Sequence, residues 1–268
     1  MISRQSLPYS EHSAQWFLRV RDLGHAVWLD SAWPLSRQGR YDIISAAPLQ
    51  MIDATNNNVF STTQQLIANC FSTADDINDL PFTGGAIGLF GYEIGRQLEQ
   101  MPPCEKSLPN FPDALIGIYS WAIVVDHLRQ LTTLVMRDET SPQLRAKILA
   151  CVNSDTNITP NSFALTSAWL DEFPADKYST AFSRLQNYIQ AGDCYQVNLA
   201  RRFNATYRGD AFAAYLRLRE ITAAPFSAFM ESEEGALLSL SPERFISAID
   251  GQLLTQPIKG TAPRNNDV

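Results

Sequence analysis

The hydrophobic pattern changes along the chain. In the first half, short apolar runs alternate with polar breaks: Ala26 to Leu29, Arg40 to Ala46 closed by Pro48, Leu115 to Val125, and Leu131 to Met136. Their length and their β-branched and aromatic content predict strands. The polar stretch Asp126 to Gln130 predicts an antiparallel hairpin loop, with His127 as a surface turn residue. Ser141 to Val152 has helical periodicity, and the polar stretch from Asn153 to Asn161 predicts a loop. Tyr178, Phe182, Leu185 and Ile189 then recur at the spacing of a helix with one buried face, with Asp176 in its first turn and Gly192 as its stop. Cys194 to Leu199 predicts a strand, and Asp210 is placed to cap a second helix carrying Phe212, Tyr215, Leu216 and Arg219. Three further strands are predicted at Phe226 to Met230, Ala236 to Leu240 and Phe245 to Ile249, with Gln252 to Ile258 as the returning strand. Glu233-Glu234-Gly235 and Asp250-Gly251 supply turns, Asp-Gly being a strong hairpin signal. Helix, strand, helix and then a meander predicts an α+β fold of layered antiparallel sheets with packed helices, not a parallel doubly wound sheet.

Composition narrows the function classes. The 268 residues are 45% hydrophobic, which suits a globular protein with a sizeable core. No run approaches the ~18 apolar residues of a membrane span, and the polar start MISRQSLPYSEH lacks the apolar region of a secretory signal. The net charge of -7 is spread along the chain, which disfavours nucleic-acid binding. Cys70, Cys104, Cys151 and Cys194 are far apart and form no metal-ligand spacing, so reduced thiols and a cytoplasmic location are expected. His12, His25 and His127 lie near no carboxylate cluster in sequence, which argues against a histidine triad or a zinc site.

Two segments carry candidate chemistry. Gly84-Gly85-Ala86-Ile87-Gly88-Leu89-Phe90-Gly91-Tyr92 fits neither a P-loop nor a dinucleotide fingerprint, and its small residues predict close backbone packing. Glu243 and Lys259 lie sixteen residues apart with Asp250-Gly251 almost midway, so a hairpin returns both to one end. A deprotonated lysine is a nucleophile and a nearby carboxylic acid can protonate a leaving hydroxyl. Taken by itself, a lysine–glutamate pair at a hairpin end is more often a plain salt bridge than a catalytic pair. Gly260 allows close backbone approach, Thr261 adds a hydroxyl for an anion, and Arg264 suits a carboxylate or solvent.

Four stretches, taken together, resemble the chorismate-utilising enzymes, which include the anthranilate, aminodeoxychorismate, isochorismate and salicylate synthases. They are Gly192-Asp193-Cys194-Tyr195-Gln196-Val197-Asn198-Leu199, Ala224-Pro225-Phe226-Ser227-Ala228-Phe229, Ser241-Pro242-Glu243-Arg244-Phe245 and Pro257-Ile258-Lys259-Gly260-Thr261. The segment Gly84 to Tyr92 resembles the amino-terminal half of the same proteins. The resemblance implies an anthranilate synthase component I-like fold, incomplete at the C-terminus. Residues 1-160 would be its amino-terminal region, and 161-268 the start of a truncated chorismate-binding catalytic region.

Lysine in PIKGT, where anthranilate synthases have alanine, is similar to the aminodeoxychorismate synthase component I branch. It implies that Lys259 attacks C2 of chorismate, Glu243 does acid–base work at C4, and Gly260 and Thr261 bind substrate. The resemblance further implies ammonia from a glutamine amidotransferase partner. Tryptophan would bind through Ser31, Arg40, Tyr41, Pro225 and Phe226. Mg²⁺ would be bound by ligands in a carboxyl-terminal region that this chain lacks. The chain is accordingly expected to be a fragment with little activity alone. The alternatives are anthranilate synthase component I and a non-catalytic tryptophan-binding or structural fragment.

Overall fold

The computed structural model describes residues 1–53, 58–71, 79–101, 111–154 and 156–258. The chain divides into two compact units, Met1–Thr159 with Tyr215–Val268, and Pro160–Ala214. After residue 214 the chain belongs again to the first unit.

In chain order, the first unit begins with β1 (Ile2–Leu7), α1 (Ala14–Val20), β2 (Val27–Asp30), β3 (Tyr41–Ser45), β4 (Gln50–Asp53) and α2 (Val59–Cys70). It continues with β5 (Gly85–Phe90), β6 (Ala114–Tyr119), β7 (Trp121–Asp126), β8 (Leu131–Arg137) and α3 (Pro142–Val152). The second unit holds β9 (Phe163–Leu165), β10 (Leu170–Asp171), α4 (Ala175–Ala191), β11 (Phe203–Asn204) and β12 (Tyr207–Gly209). Helix α5 (Ala211–Thr222) carries the chain back to the first unit, where β13 (Phe226–Ser232), β14 (Gly235–Ser241), β15 (Ser247–Ile249) and β16 (Gln252–Leu254) follow.

Seven strands of the first unit form one antiparallel sheet in the order β1-β8-β7-β3-β2-β13-β14. Three more form a second antiparallel sheet, β4-β6-β5. Strand alternation builds the layers. On β2, Val27 and Leu29 face the three-stranded sheet, where they join a cluster with Ile87, Leu115, Tyr119 and Met230. Trp28 points the opposite way, into an aromatic cluster with Phe17 of α1, Tyr215 of α5 and Phe229 of β13. On β6, Leu115 joins the first cluster, while Ile116 and Ile118 pack with Val59, Leu66 and Ile67 of α2. The result is helix, sheet, sheet, helix.

Gly88 explains part of the glycine-rich segment. A Cβ there would strike the Leu115 carbonyl oxygen and lie 2.5 Å from Ile116 Cα, so β5 approaches β6 as closely as the small residues allow.

Four sequence expectations need correction. The run Leu115 to Val125 is two strands in different sheets, broken at buried Ser120, whose carbonyl accepts from Arg137 N at 2.9 Å and Thr140 Oγ1 at 3.1 Å. The amphipathic helix α4 forms and ends at left-handed Gly192, yet none of its residues is buried. No strand forms at Cys194 to Leu199. The hairpin after β14 is shorter than expected, three residues on each arm. Among the described residues, no helix is long and apolar enough to cross a membrane.

Candidate functional site

The chain leaves β14 through a tight turn at Pro242. The Ser241 hydroxyl donates to the Glu243 carbonyl at 2.8 Å and accepts from the Glu243 N–H at 3.3 Å. This local ring fixes where Glu243 emerges. Asp250 (φ 50) and Gly251 (φ 76) both adopt the left-handed conformation of a two-residue hairpin turn, which pairs Ile249 with Gln252 and Ser247 with Leu254. Beyond the paired residues, Thr255 Oγ1 donates to the Phe245 carbonyl at 3.0 Å. Glu243 and Ile258 line the same space between the two arms. The two arms share a cleft of about 530 Å³ lined by Glu243, Arg244, Gln256, Pro257 and Ile258, with Phe226 and Gln38 closing it. Lys259, Gly260, Thr261 and Arg264 lie outside the described residues.

Glu243 and Arg244 are both half-buried. Arg244 sits over the Phe226 ring, 5.4 Å from its centroid, and has no carboxylate partner among the described residues. A guanidinium held on an aromatic face and free of a counter-charge suits an anionic ligand.

Of the five residues implied for tryptophan, Phe226 lines this cleft. The pairing of Ser227 with Asp30 sets Ser31 beside the start of β13, next to Pro225 and Phe226. Ser31 is buried, and both its N–H (2.8 Å) and its hydroxyl (2.7 Å) donate to Asp42 Oδ1. Arg40 turns to Asp126 in a two-point ion pair (3.1 and 2.7 Å) and stacks on the Tyr41 ring at 4.5 Å. Tyr41 itself packs on the cluster of Ala122, Val124 and Val135. The fold thus brings Ser31, Pro225 and Phe226 together, while the Arg40 side chain is engaged elsewhere.

A buried polar network under Ser31 escaped sequence reasoning. Asp42 is fully buried and meets His127 Nε2 at 3.2 Å. His127, expected at the surface, is buried as well, with Nδ1 3.2 Å from the Tyr9 hydroxyl and its ring stacked on Trp33. Burial pushes the Asp42 carboxyl up, but His127 and the donors from Ser13 and Ser31 outweigh it and hold it below the ordinary carboxylate value. Nearby, Asp30 binds Arg219 (2.6 and 3.1 Å) and the Tyr215 hydroxyl (2.8 Å). Burial, and then the charge of Asp42, push the Asp30 carboxyl up despite these partners. The signal available in the sequence was an aspartate at an inward position of the predicted strand Arg40 to Ala46.

Among the described residues, no group of three or more His, Cys, Asp or Glu side chains is arranged to hold a metal ion.

Comparison with known proteins places these features. A family model described as chorismate binding enzyme matches residues 25–268. Aminodeoxychorismate synthase component 1 of Klebsiella aerogenes is 40% identical over 278 residues, covering 98% of this chain and 60% of that protein. The protein of the same name from Escherichia coli (strain K12) is 37% identical over 267 residues, covering 94% and 58%. The chain thus spans about 60% of the length of these curated relatives. The crystal structure of anthranilate synthase component I from Streptococcus pneumoniae TIGR4 superposes with a TM-score of 0.64 at 21% identity, over 81% of this chain and 54% of that one. The expected α+β fold of layered antiparallel sheets is borne out by this likeness.

Proposed function

Because this chain belongs to the chorismate-binding enzyme family, we propose that its activity is that of aminodeoxychorismate synthase component I. The reaction converts chorismate and ammonia to 4-amino-4-deoxychorismate, within para-aminobenzoate and folate biosynthesis in the cytoplasm. The observation that carries the reading is the shared cleft, in which Glu243 faces Pro257 and Ile258, the residues that lead into Lys259.

In the proposed sequence, the Lys259 amine forms a bond to C2 as the C4–O bond breaks. Glu243 gives its proton to the departing hydroxyl, which leaves as water. Ammonia then bonds to C4 while the C2–N bond to Lys259 breaks, and a proton from the attacking nitrogen returns to Glu243. The covalent adduct splits one hard displacement into two easier ones and directs nitrogen to C4. Arg244, which has no carboxylate partner among the described residues, supports binding of a dicarboxylate such as chorismate. Gly260 and Thr261 are assigned to substrate binding as well. A glutamine amidotransferase partner supplies ammonia, and tryptophan occupies a pocket at Ser31, Pro225 and Phe226, flanked by Arg40 and Tyr41. A Mg²⁺ requirement belongs to the same reading, without assigned ligands.

The test is product identification with chorismate, Mg²⁺ and ammonium, using this chain of verified mass beside the longest natural gene product. The longer protein is expected to give 4-amino-4-deoxychorismate, and its Lys259→Ala variant to lose that product. An ortho-amino product from the unaltered protein would instead assign anthranilate synthase. Tryptophan binding with no turnover in the longest form would assign a non-catalytic module.

A further inference from the structure

The segment Ser31–Gly39 is held from below by groups to which the proposed chemistry gives no role. Asp42 accepts three hydrogen bonds, from Ser31 N–H and Ser31 Oγ at Oδ1 and from Ser13 Oγ at Oδ2, and His127 Nε2 lies 3.2 Å from Oδ2. Among the described residues, no arginine or lysine reaches it, and His127 is its only basic neighbour. The His127 ring is clamped in turn, by the Tyr9 hydroxyl at Nδ1 and by Trp33 stacked at 5.6 Å and 16°.

The same segment is tied at further points. Ala32 N–H donates to Asp30 at 2.7 Å, and the Trp33 carbonyl accepts from Arg219 at 2.7 Å. Gly39 closes the loop on its start, since a Cβ there would lie 2.9 Å from Ser31 Cα and strike the Ser31 side chain. Between these ties, Gln38 is the residue that lines the cleft with Phe226 and Glu243.

We propose that Asp42, paired with His127, is a positioning residue for the cleft: it sets Ser31–Gly39, and so places the Gln38 wall that faces Glu243. This assignment of purpose rests on reading the cleft as the reaction site. The physical basis is asymmetry. The segment has no strand or helix of its own, so its start is held by the two Ser31 donors on Asp42 Oδ1, while Ser13 and His127 fix the other oxygen and with it the carboxylate's orientation. An asparagine there keeps the shape but turns one acceptor into a donor.

The test is hydrogen–deuterium exchange on the full chain carrying Asp42→Asn, His127→Gln, or both. Peptides covering Ser31–Gly39 are expected to exchange at least roughly tenfold faster in each single variant, with the β6 peptide at its original rate. The double variant is expected to add little, because the two residues act through one contact. An unchanged Ser31–Gly39 segment would overturn the proposal. So would equal acceleration in β6, which reports a general loss of stability. Should Asp42→Asn fail to fold, Ser31→Ala removes one donor and is read in the same way.

Kinetics supply the second measurement, on the longest form that turns over chorismate. Asp42→Asn is expected to raise KM roughly tenfold with kcat within about twofold, the mark of a misplaced binding wall. A fall in kcat at unchanged KM would overturn the positioning role. Absence of turnover in the unaltered protein would instead refute the functional reading, and the exchange result would decide the proposal alone.

Discussion

Arg219→Met offers a sharp test of how the first unit is held together. Arg219 gives two hydrogen bonds to Asp30, whose side chain is fully buried, and a third to the Trp33 carbonyl. Its guanidinium also lies 5.4 Å from the Trp28 ring centroid. Methionine keeps the apolar stem but leaves Asp30, among the described residues, with the Tyr215 hydroxyl and the Ala32 N–H as donors. Removing one partner of a buried pair costs about 3–5 kcal/mol, because the remaining charge stays desolvated.

The cost depends on pH with a definite sign. Burial and the charge of Asp42 hold the folded Asp30 pKa above its ordinary value, so the folded state binds its proton more tightly than the unfolded chain does. Its contribution to stability therefore falls as pH rises from roughly 3.9, the unfolded value, through the raised folded value. Losing Arg219 extends that interval upward. The destabilisation is expected to be larger at pH 8 than at pH 5, because the raised folded pKa favours uptake of a proton by Asp30 as pH falls. Urea unfolding followed by tryptophan fluorescence measures both, with Trp28 as a local reporter. A cost below about 1 kcal/mol, or one equal at the two pH values, would refute the claim that Arg219 compensates a buried Asp30 charge.

Two further outcomes are expected. Gly88→Val should lower stability by about 2 kcal/mol or more through overpacking against Leu115 and Ile116, seen as a lower urea midpoint; an unchanged midpoint would deny the close β5–β6 approach. Trp121→Phe should cost about 1–3 kcal/mol by the same assay, since the Ala46 carbonyl loses the indole N–H at 2.7 Å in a buried setting.

Local signals in the chain were enough for the elements whose causes are local. Asp250-Gly251 specifies its turn because both residues tolerate positive φ, and that turn alone returns the chain to Glu243. Ser141 caps α3 through its hydroxyl, and Gly192 ends α4, as residue types at those positions predict. Periodicity likewise announced the stripe of Tyr178, Phe182, Leu185 and Ile189. It reports amphipathicity but not what meets the stripe, and Phe182 remains 48% exposed.

His127 shows what pattern alone misses. A histidine in a polar loop reads as solvated, yet this one is buried because β3 brings Asp42 beside it from eighty-five positions away. A similar separation hid the role of Arg40, which is taken up by Asp126, and Ser31 is spent on Asp42 across the shorter span between β2 and β3. Sequence by itself determined most strands of the seven-stranded sheet, the Asp250-Gly251 turn, the family motifs and Glu243 as a candidate acid. Only tertiary structure decided which polar side chains lose water and must find one another, because desolvation depends on the strands packed above and below and not on neighbours along the chain.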